Sequence, residues 1–224
     1  MPIDPDATTE VVGFCNVPDF AKGHVRDLRV RWALEEIGRS YRTTLFDALA
    51  KRTPEHAARQ PFGQVPVLND GKIELFETGA ILLYLGEQDE RLLPRAADAR
   101  WNATSWLIAA LNSVEPAVMQ YVWISLFNAN KDWAKDAKPD ALGFVGQRLK
   151  RLSDALGDKD WLAGRFSIAD IVMVTVLRNL SEEVLGQHAG IAEYVARGMK
   201  RPAFQRALAD QMSQFVGQKE GADA

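Results

Sequence analysis

Cysteine is nearly missing from this chain: Cys15 is the only one in 224 residues. An intramolecular disulfide is therefore excluded, and a lone cysteine without a targeting segment points to a reducing, cytoplasmic setting. Histidine is almost as scarce. His24, His56 and His188 are scattered, and no Cys/His cluster has ligand spacing, which argues against a metal centre. No apolar run reaches the ~18 residues of a membrane span, and the opening stretch MPIDPDATTE is acidic and polar rather than signal-like. A surplus of positive charge is missing too. The 27 Lys and Arg against 30 Asp and Glu leave a formal net charge of −3, so nothing in the balance attracts nucleic acid. What is there, 47% hydrophobic and 25% charged residues, is the make-up of a soluble globular protein, with length enough for two smaller domains.

The first ninety residues mix strand and helix signals. Glu10 to Phe14 (EVVGF) reads as a strand, followed by a polar connection through Gly23 and a helix from about Val25 to Ile37. Val25, Leu28 and Trp32 share one face of that helix, and Gly38 stops it. Tyr41 to Phe46 gives a second strand, parallel to the first by the βαβ order. Thr53-Pro54-Glu55 opens a short helix with a hydroxyl cap, a proline at the first position and an acid in the first turn; Pro61 ends it. Val65 to Leu68 and Lys72 to Phe76, joined by Asp70-Gly71, form a hairpin, and Ile81, Tyr84 and Leu85 mark the inner face of the next helix. Asp89 to Asp98 (DERLLPRAAD) is charged and patternless, a linker. Only helix signals follow: Arg100 to Gln120, Asp140 to Leu156, the nearly all-apolar Ser167 to Leu180, and a last helix from Pro202 to about Phe215. The predicted division is an α/β domain over 9–88, a linker over 89–98 and an all-α domain over 99–218.

The stretch GQVPVLNDGKIELFET, Gly63 to Thr78, raises a chemical question. Pro66 interrupts an apolar run where a sheet wants a donor. Either this is an edge strand with the missing N–H toward solvent, or a cis Val65–Pro66 bond turns the chain and exposes the backbone of Val65 to a bound peptide. Glu77-Thr78 also has two readings. One is plain helix capping. In the other, the Thr78 hydroxyl and the first N–H groups of the helix hold a carboxylate while Glu77 holds an ammonium; together those are one end of an amino acid.

The βαβαββα order, GQVPVL, the ET before GAILLYL, RWALEEIG (Arg31 to Gly38), WLAGRFSIADI (Trp161 to Ile171) and RPAFQRA (Arg201 to Ala207) together resemble the cytosolic glutathione S-transferase family, in a bacterial form, over nearly the whole chain. Within WLAGRFSIADI, Ser167 and Asp170 are spaced as a capping box, with Phe166 and Ile171 as its hydrophobic staple. The resemblance implies a thioredoxin-like N-terminal domain followed by an all-helical one, glutathione as co-substrate, no metal, and a cytoplasmic homodimer that detoxifies small electrophiles. It implies roles at matching positions. Val65, with a cis Pro66 and beside Gln64, pairs with the cysteinyl part; Glu77 and Thr78 hold the γ-glutamyl ammonium and carboxylate, Thr78 standing where the family more often has serine. Lys51 and Arg52 lie where the family often contacts the glycyl carboxylate, or else are plain surface cations.

The thiol-activating group is less determined. A transferase of this family lowers the pKa of the glutathione thiol with one donor or a positive dipole near the sulfur, from a polar residue after the first strand. Here that region, CNVPDFAKGHVRDLR (Cys15 to Arg29), has no Ser or Tyr. Asn16 is the first candidate, followed by Cys15, His24 and Arg26, and the backbone N–H groups of the helix are an alternative to any side chain. Cys15 forming a mixed disulfide would make the reaction a glutathione-dependent disulfide or peroxide reduction; as a small apolar residue at a strand end it would do neither. A non-catalytic glutathione-binding or regulatory module is the third reading. The second substrate is expected against the first long helix of the all-α half, near Asn112 and Glu115, since a buried acid needs a cation or a wet cleft.

Overall fold

The computed structural model describes residues 3–215. In chain order the elements are β1 (Glu10–Asn16), α1 (Asp27–Ile37), β2 (Arg42–Asp47), α2 (Pro54–Arg59), β3 (Val67–Asn69), β4 (Glu74–Phe76), α3 (Thr78–Gln88), α4 (Ala97–Ala109), α5 (Glu115–Val122), α6 (Asp132–Leu156), α7 (Ile168–Leu177), α8 (Glu182–Gly186), α9 (Ile191–Met199) and α10 (Pro202–Ser213). The described residues form two compact units. One takes those up to Ile81 and those from Pro202 on; the other runs from Leu82 to Arg201. A linker-based cut leaves α10 with the helical half, whereas compactness draws it to the sheet.

In the first unit the sheet order is β2-β1-β3-β4. β1 pairs with β2 in parallel, Phe14 opposite Phe46, and β3 runs antiparallel to both β1 and β4, with Val67 opposite Val12 and Phe76. This is the thioredoxin-like arrangement expected from the βαβ-then-hairpin order. The hairpin closes where Asp70 and Gly71 stand: Asp70 Oδ1 accepts from the N–H groups of Lys72 and Ile73, and Gly71 takes φ 84°. Val11, Val12, Val67 and Leu68 from the sheet and Leu28, Trp32 and Leu34 from α1 are buried, each contributing about 1.5–3 kcal/mol.

Glu10 is one of several buried acids in this unit, only 7% exposed. It accepts from Arg59 Nη2 at 2.9 Å and from Thr44 Oγ1. Burial alone pushes its carboxyl up, but the bonds from Arg59 and Thr44, with the charges of Arg59 and Arg42, hold it below the ordinary 4.5. A depressed carboxyl contributes stability above its ordinary range and loses it as pH falls through the folded value. Glu10→Gln is therefore expected to lower the urea midpoint at neutral pH and to flatten its decline below about pH 4.5.

In the second unit α7 is buried along its whole length, as its unbroken apolar run requires, and its capping box is formed by Ser167 and Asp170. Two elements differ from expectation. The helix read over Arg100 to Gln120 contains a π-helical turn at Ala110–Val114. Pro116 has no N–H to give the carbonyl of Asn112 four residues back, and the widened turn accommodates that loss. The helix read as starting at Asp140 begins at Asp132 and carries Pro139 inside it. α8 and α9, of five and nine residues, are too short to have shown a period.

Candidate functional site

The strand registers bring the sequence-selected residues to one edge of the sheet. Val67 faces Phe76 across the hairpin, so continuing the register sets Val65 level with Thr78 and Pro66 level with Glu77. Val67 also faces Val12, which sets Val65 level with Phe14. The Val65–Pro66 bond is cis, and the ladder starts at Val67, so the N–H and C=O of Val65 take no part in the sheet. Thr78 is buried at the first position of α3, with Glu77 exposed just before it. Glu77 has φ 68°, the one positive value among the described non-glycine residues. A side chain in that left-handed conformation costs about 1–2 kcal/mol, and such residues concentrate at ligand sites.

Beside this edge lies a cleft of about 270 Å³ lined by Phe14, His24, Val25, Arg26, Arg52, Gly63, Gln64 and Val65. Three of the eight are basic side chains and none is acidic. The apolar members Phe14, Val25 and Val65 belong to one packed cluster with Val12, Val67 and Phe46. Arg26 stands at the N-cap position of α1, where the helix dipole favours negative charge; the N–H groups of Leu28 and Arg29 already donate to the carbonyls of Val25 and Arg26. A soft anionic group beside an apolar wall suits this lining.

Five of the residues selected from sequence thus meet in the cleft: His24, Arg26, Arg52, Gln64 and Val65. The others stand elsewhere. Asn16 donates from Nδ2 to Asp47 Oδ2 at 3.2 Å; the Leu49 N–H, and after it this bond, hold the Asp47 carboxyl below its usual range. Cys15 is the extra residue of a bulge between Phe14, opposite Phe46, and Asn16, opposite Asp47. Lys51 is exposed on the loop before α2. Asn112 is exposed in the π-helical turn and Glu115 buried at the start of α5, both in the second unit.

Arg52 is the residue whose part differs most from its sequence reading. Its Nε donates to the carbonyl of Gly63 at 2.7 Å, Nη1 to those of Asp47 and Ala50 at 3.0 and 2.9 Å, and Nη2 to that of Ala48 at 3.1 Å. Its guanidinium also lies 4.9 Å from the centre of the Phe14 ring. Four of its five N–H groups are so engaged, which makes it a clasp between the 47–50 loop and Gly63 with one N–H left over for a ligand. Gly63 is missed by sequence reasoning and has a definite reason: φ is 63°, and a Cβ there would lie 3.1 Å from Arg52 Cγ. Phe14 and Val25, also missed, carry no signal beyond their apolarity. On the other side of Gly63, Gln60 Oε1 accepts from the N–H groups of Phe62 and Gln64 at 2.6 and 3.2 Å, fixing the approach to Val65.

A wider depression of about 500 Å³ in the second unit is lined by Gly146, Gln147, Lys150, Ser153, Gln187, His188 and Ala189. Its lysine is paired with Asp154 at 2.8 Å and its Ser153 hydroxyl donates to Ala189 O, so these two polar groups are already committed. Among the described residues no group of three or more His, Cys, Asp or Glu gathers as metal ligands, and no helix is long and apolar enough to cross a membrane.

A sequence profile of the glutathione S-transferase N-terminal domain matches residues 21–87, and the corresponding C-terminal domain profile matches residues 114–202. A glutathione S-transferase of Arabidopsis thaliana is 31% identical over 149 residues, covering 62% of this chain and 68% of that relative. The chain belongs to the glutathione S-transferase family. Glutathione S-transferase 1 of Zea mays is 29% identical over 197 residues, 81% of this chain and 90% of the relative. In fold, a glutathione transferase family member from Pseudomonas fluorescens pf-5, solved with two glutathione bound, superposes with a TM-score of 0.79 at 24% identity, over 89% of this chain and 92% of that one. The N-terminal-domain match of the glutathione S-transferases takes in His24, Arg26, Lys51, Arg52, Gln64, Val65, Pro66, Glu77 and Thr78, while Phe14, Cys15 and Asn16 precede it.

Proposed function

We propose that this glutathione S-transferase binds glutathione along the Val65–Thr78 edge and activates its thiol in the cleft beside the first turn of α1. The observation that carries the reading is the meeting of a sheet-free Val65 backbone with three basic side chains and a helix N-terminus in one cleft. The cysteinyl part pairs with Val65, Glu77 takes the ammonium and Thr78 the adjacent carboxylate. The thiol loses its proton to solvent; the thiolate sulfur then bonds to an electrophilic carbon, whose leaving group departs with its electron pair. His24, Arg26 and the dipole of α1 are favoured over Asn16 for stabilising the thiolate, because His24 and Arg26 line the cleft and Asn16 is not in its lining. In this division of labour residues 9–88 hold glutathione and residues 99–218, with Asn112 and Glu115, supply the electrophile side. A homodimer in a reducing cytoplasm, detoxifying small electrophiles, completes the reading.

A titration of thiolate ultraviolet difference absorbance on adding glutathione tests it. The expected result is saturable binding with a midpoint below that of glutathione in solution. Binding with an unmoved midpoint would favour a non-catalytic carrier. Turnover of a small disulfide that is lost in Cys15→Ser would favour the reductase, against which the absence of Cys15 from the cleft lining speaks. No binding would remove the reading.

A further inference from the structure

The turn that borders the cleft, His24-Val25-Arg26, is held from behind by the far end of the chain. Gln211 of α10 is 1% exposed. Its Nε2 donates to the carbonyl of Val25 at 3.1 Å and to Asp27 Oδ1 at 2.7 Å. The other carboxylate oxygen of Asp27 takes Arg31 Nε at 2.7 Å, and this buried pair fits under β1 only because residue 13 is glycine: a Cβ there would lie 2.9 Å from Asp27 Oδ2. Just before the turn, Gly23 lies on α10, where a Cβ would stand 3.2 Å from Leu208 Cδ1 and 3.5 Å from Met212 Sδ. The turn therefore has fixed points before it, within it and after it.

Attachment of α10 to α1 does not need an amide at this point. Further along, Arg206 Nε donates to Glu35 Oε2 at 2.6 Å and the rings of Trp32 and Phe204 meet at 4.9 Å. A buried amide carries a desolvation cost that an apolar side chain of the same size avoids. What the Gln211 amide adds is a defined place for the Val25 carbonyl and the Asp27 carboxylate, and hence for the residues between and beside them. We infer that Gln211 is a positioning residue of the glutathione site, fixing the His24–Arg26 turn so that its donors meet the sulfur. The inference rests on the glutathione reading and deepens it. Because the residue is buried behind the turn, it governs the state of the thiol rather than the affinity for the tripeptide.

Gln211→Met keeps the volume and removes the donor. Its glutathione Kd is expected to stay within about three-fold of the parent, while the thiolate midpoint rises by about one unit and kcat falls about ten-fold, the scale of one lost polar anchor. Arg206→Ala is the control: it loosens α10 at its other end and is expected to lower the melting temperature with the midpoint unmoved. Should Gln211→Met fail to fold, Met212→Ala, which slackens the packing under Gly23, is expected to move the midpoint the same way. An unmoved midpoint in the folded variant, or an equal shift in Arg206→Ala, overturns the inference and spares the glutathione reading. Absence of glutathione binding in the parent overturns the reading, and the inference with it.

Discussion

Glu77→Ala is expected to raise the Kd for glutathione about 100-fold, close to 3 kcal/mol, with little change in melting temperature. The carboxylate is exposed at the end of β4, so its removal leaves no cavity, and in the proposed complex it leaves a substrate ammonium without its counter-charge. The backbone allows a sharper form of the test. Glu77 has φ 68°, a conformation that costs an alanine what it costs a glutamate and costs glycine nothing. Glu77→Gly should therefore lose affinity as fully as Glu77→Ala while matching the parent in stability, or exceeding it by up to about 1 kcal/mol. Glycine at this position would be the better choice for folding alone, so a tighter fold with weaker binding would identify the acid as a residue kept for its ligand. Thr78→Ala should weaken binding in the same sense, but part of its effect is structural, since Thr78 is buried. Calorimetric titration with glutathione, paired with thermal melts, separates these contributions. Parent-like affinity in Glu77→Ala would remove the ammonium site from the proposal.

The parts of this molecule that were legible in its sequence are those whose cause is local. Asp70-Gly71 specifies its own turn, Thr53-Pro54 its own helix start, and Ser167 with Asp170 its own cap; each structure follows from residues a few positions apart. Pro66 was legible as a question, and the cis bond with the ladder starting one residue later answers it. What stayed hidden depends on distant partners. The carbonyls of Asp47, Ala48 and Ala50 lie close to Arg52 in the sequence, but nothing there says that its guanidinium will tie them to Gly63 on a separate loop. The sequence sets Asn16 just after the strand as a candidate donor, but one bulge residue brings its amide to Asp47 on the neighbouring strand. Pro202 announces a last helix, and a helix start does not name what the helix will cover. The site was thus readable as a set of ligand contacts and unreadable as a set of supports.

Asp170→Ala is expected to cost about 3–5 kcal/mol, the penalty for leaving several buried donors without their shared acceptor. Asp170 is fully buried. Its Oδ2 accepts from the Ser167 N–H at 2.9 Å and the Ser167 hydroxyl at 3.2 Å; its Oδ1 accepts from the Leu162 N–H at 3.1 Å and the Tyr194 hydroxyl at 2.8 Å. One carboxylate therefore joins the cap of α7 to the preceding loop and to α9, and alanine would strand four donors in an interior that water does not reach. Ser167→Ala, by contrast, removes a single cap worth about 1 kcal/mol. The two costs should not add in the double variant: once Asp170 is gone, the Ser167 hydroxyl has already lost that acceptor, so the pair should cost less than the sum by several tenths of a kcal/mol or more. Urea melts of the parent, both single variants and the double variant measure this. A loss of only about 1 kcal/mol in Asp170→Ala would mean that Asp170 acts as an ordinary helix cap and that Leu162 and Tyr194 find other acceptors, whereas the larger loss with strong coupling would make this side chain the tie that holds three segments of the helical unit in register.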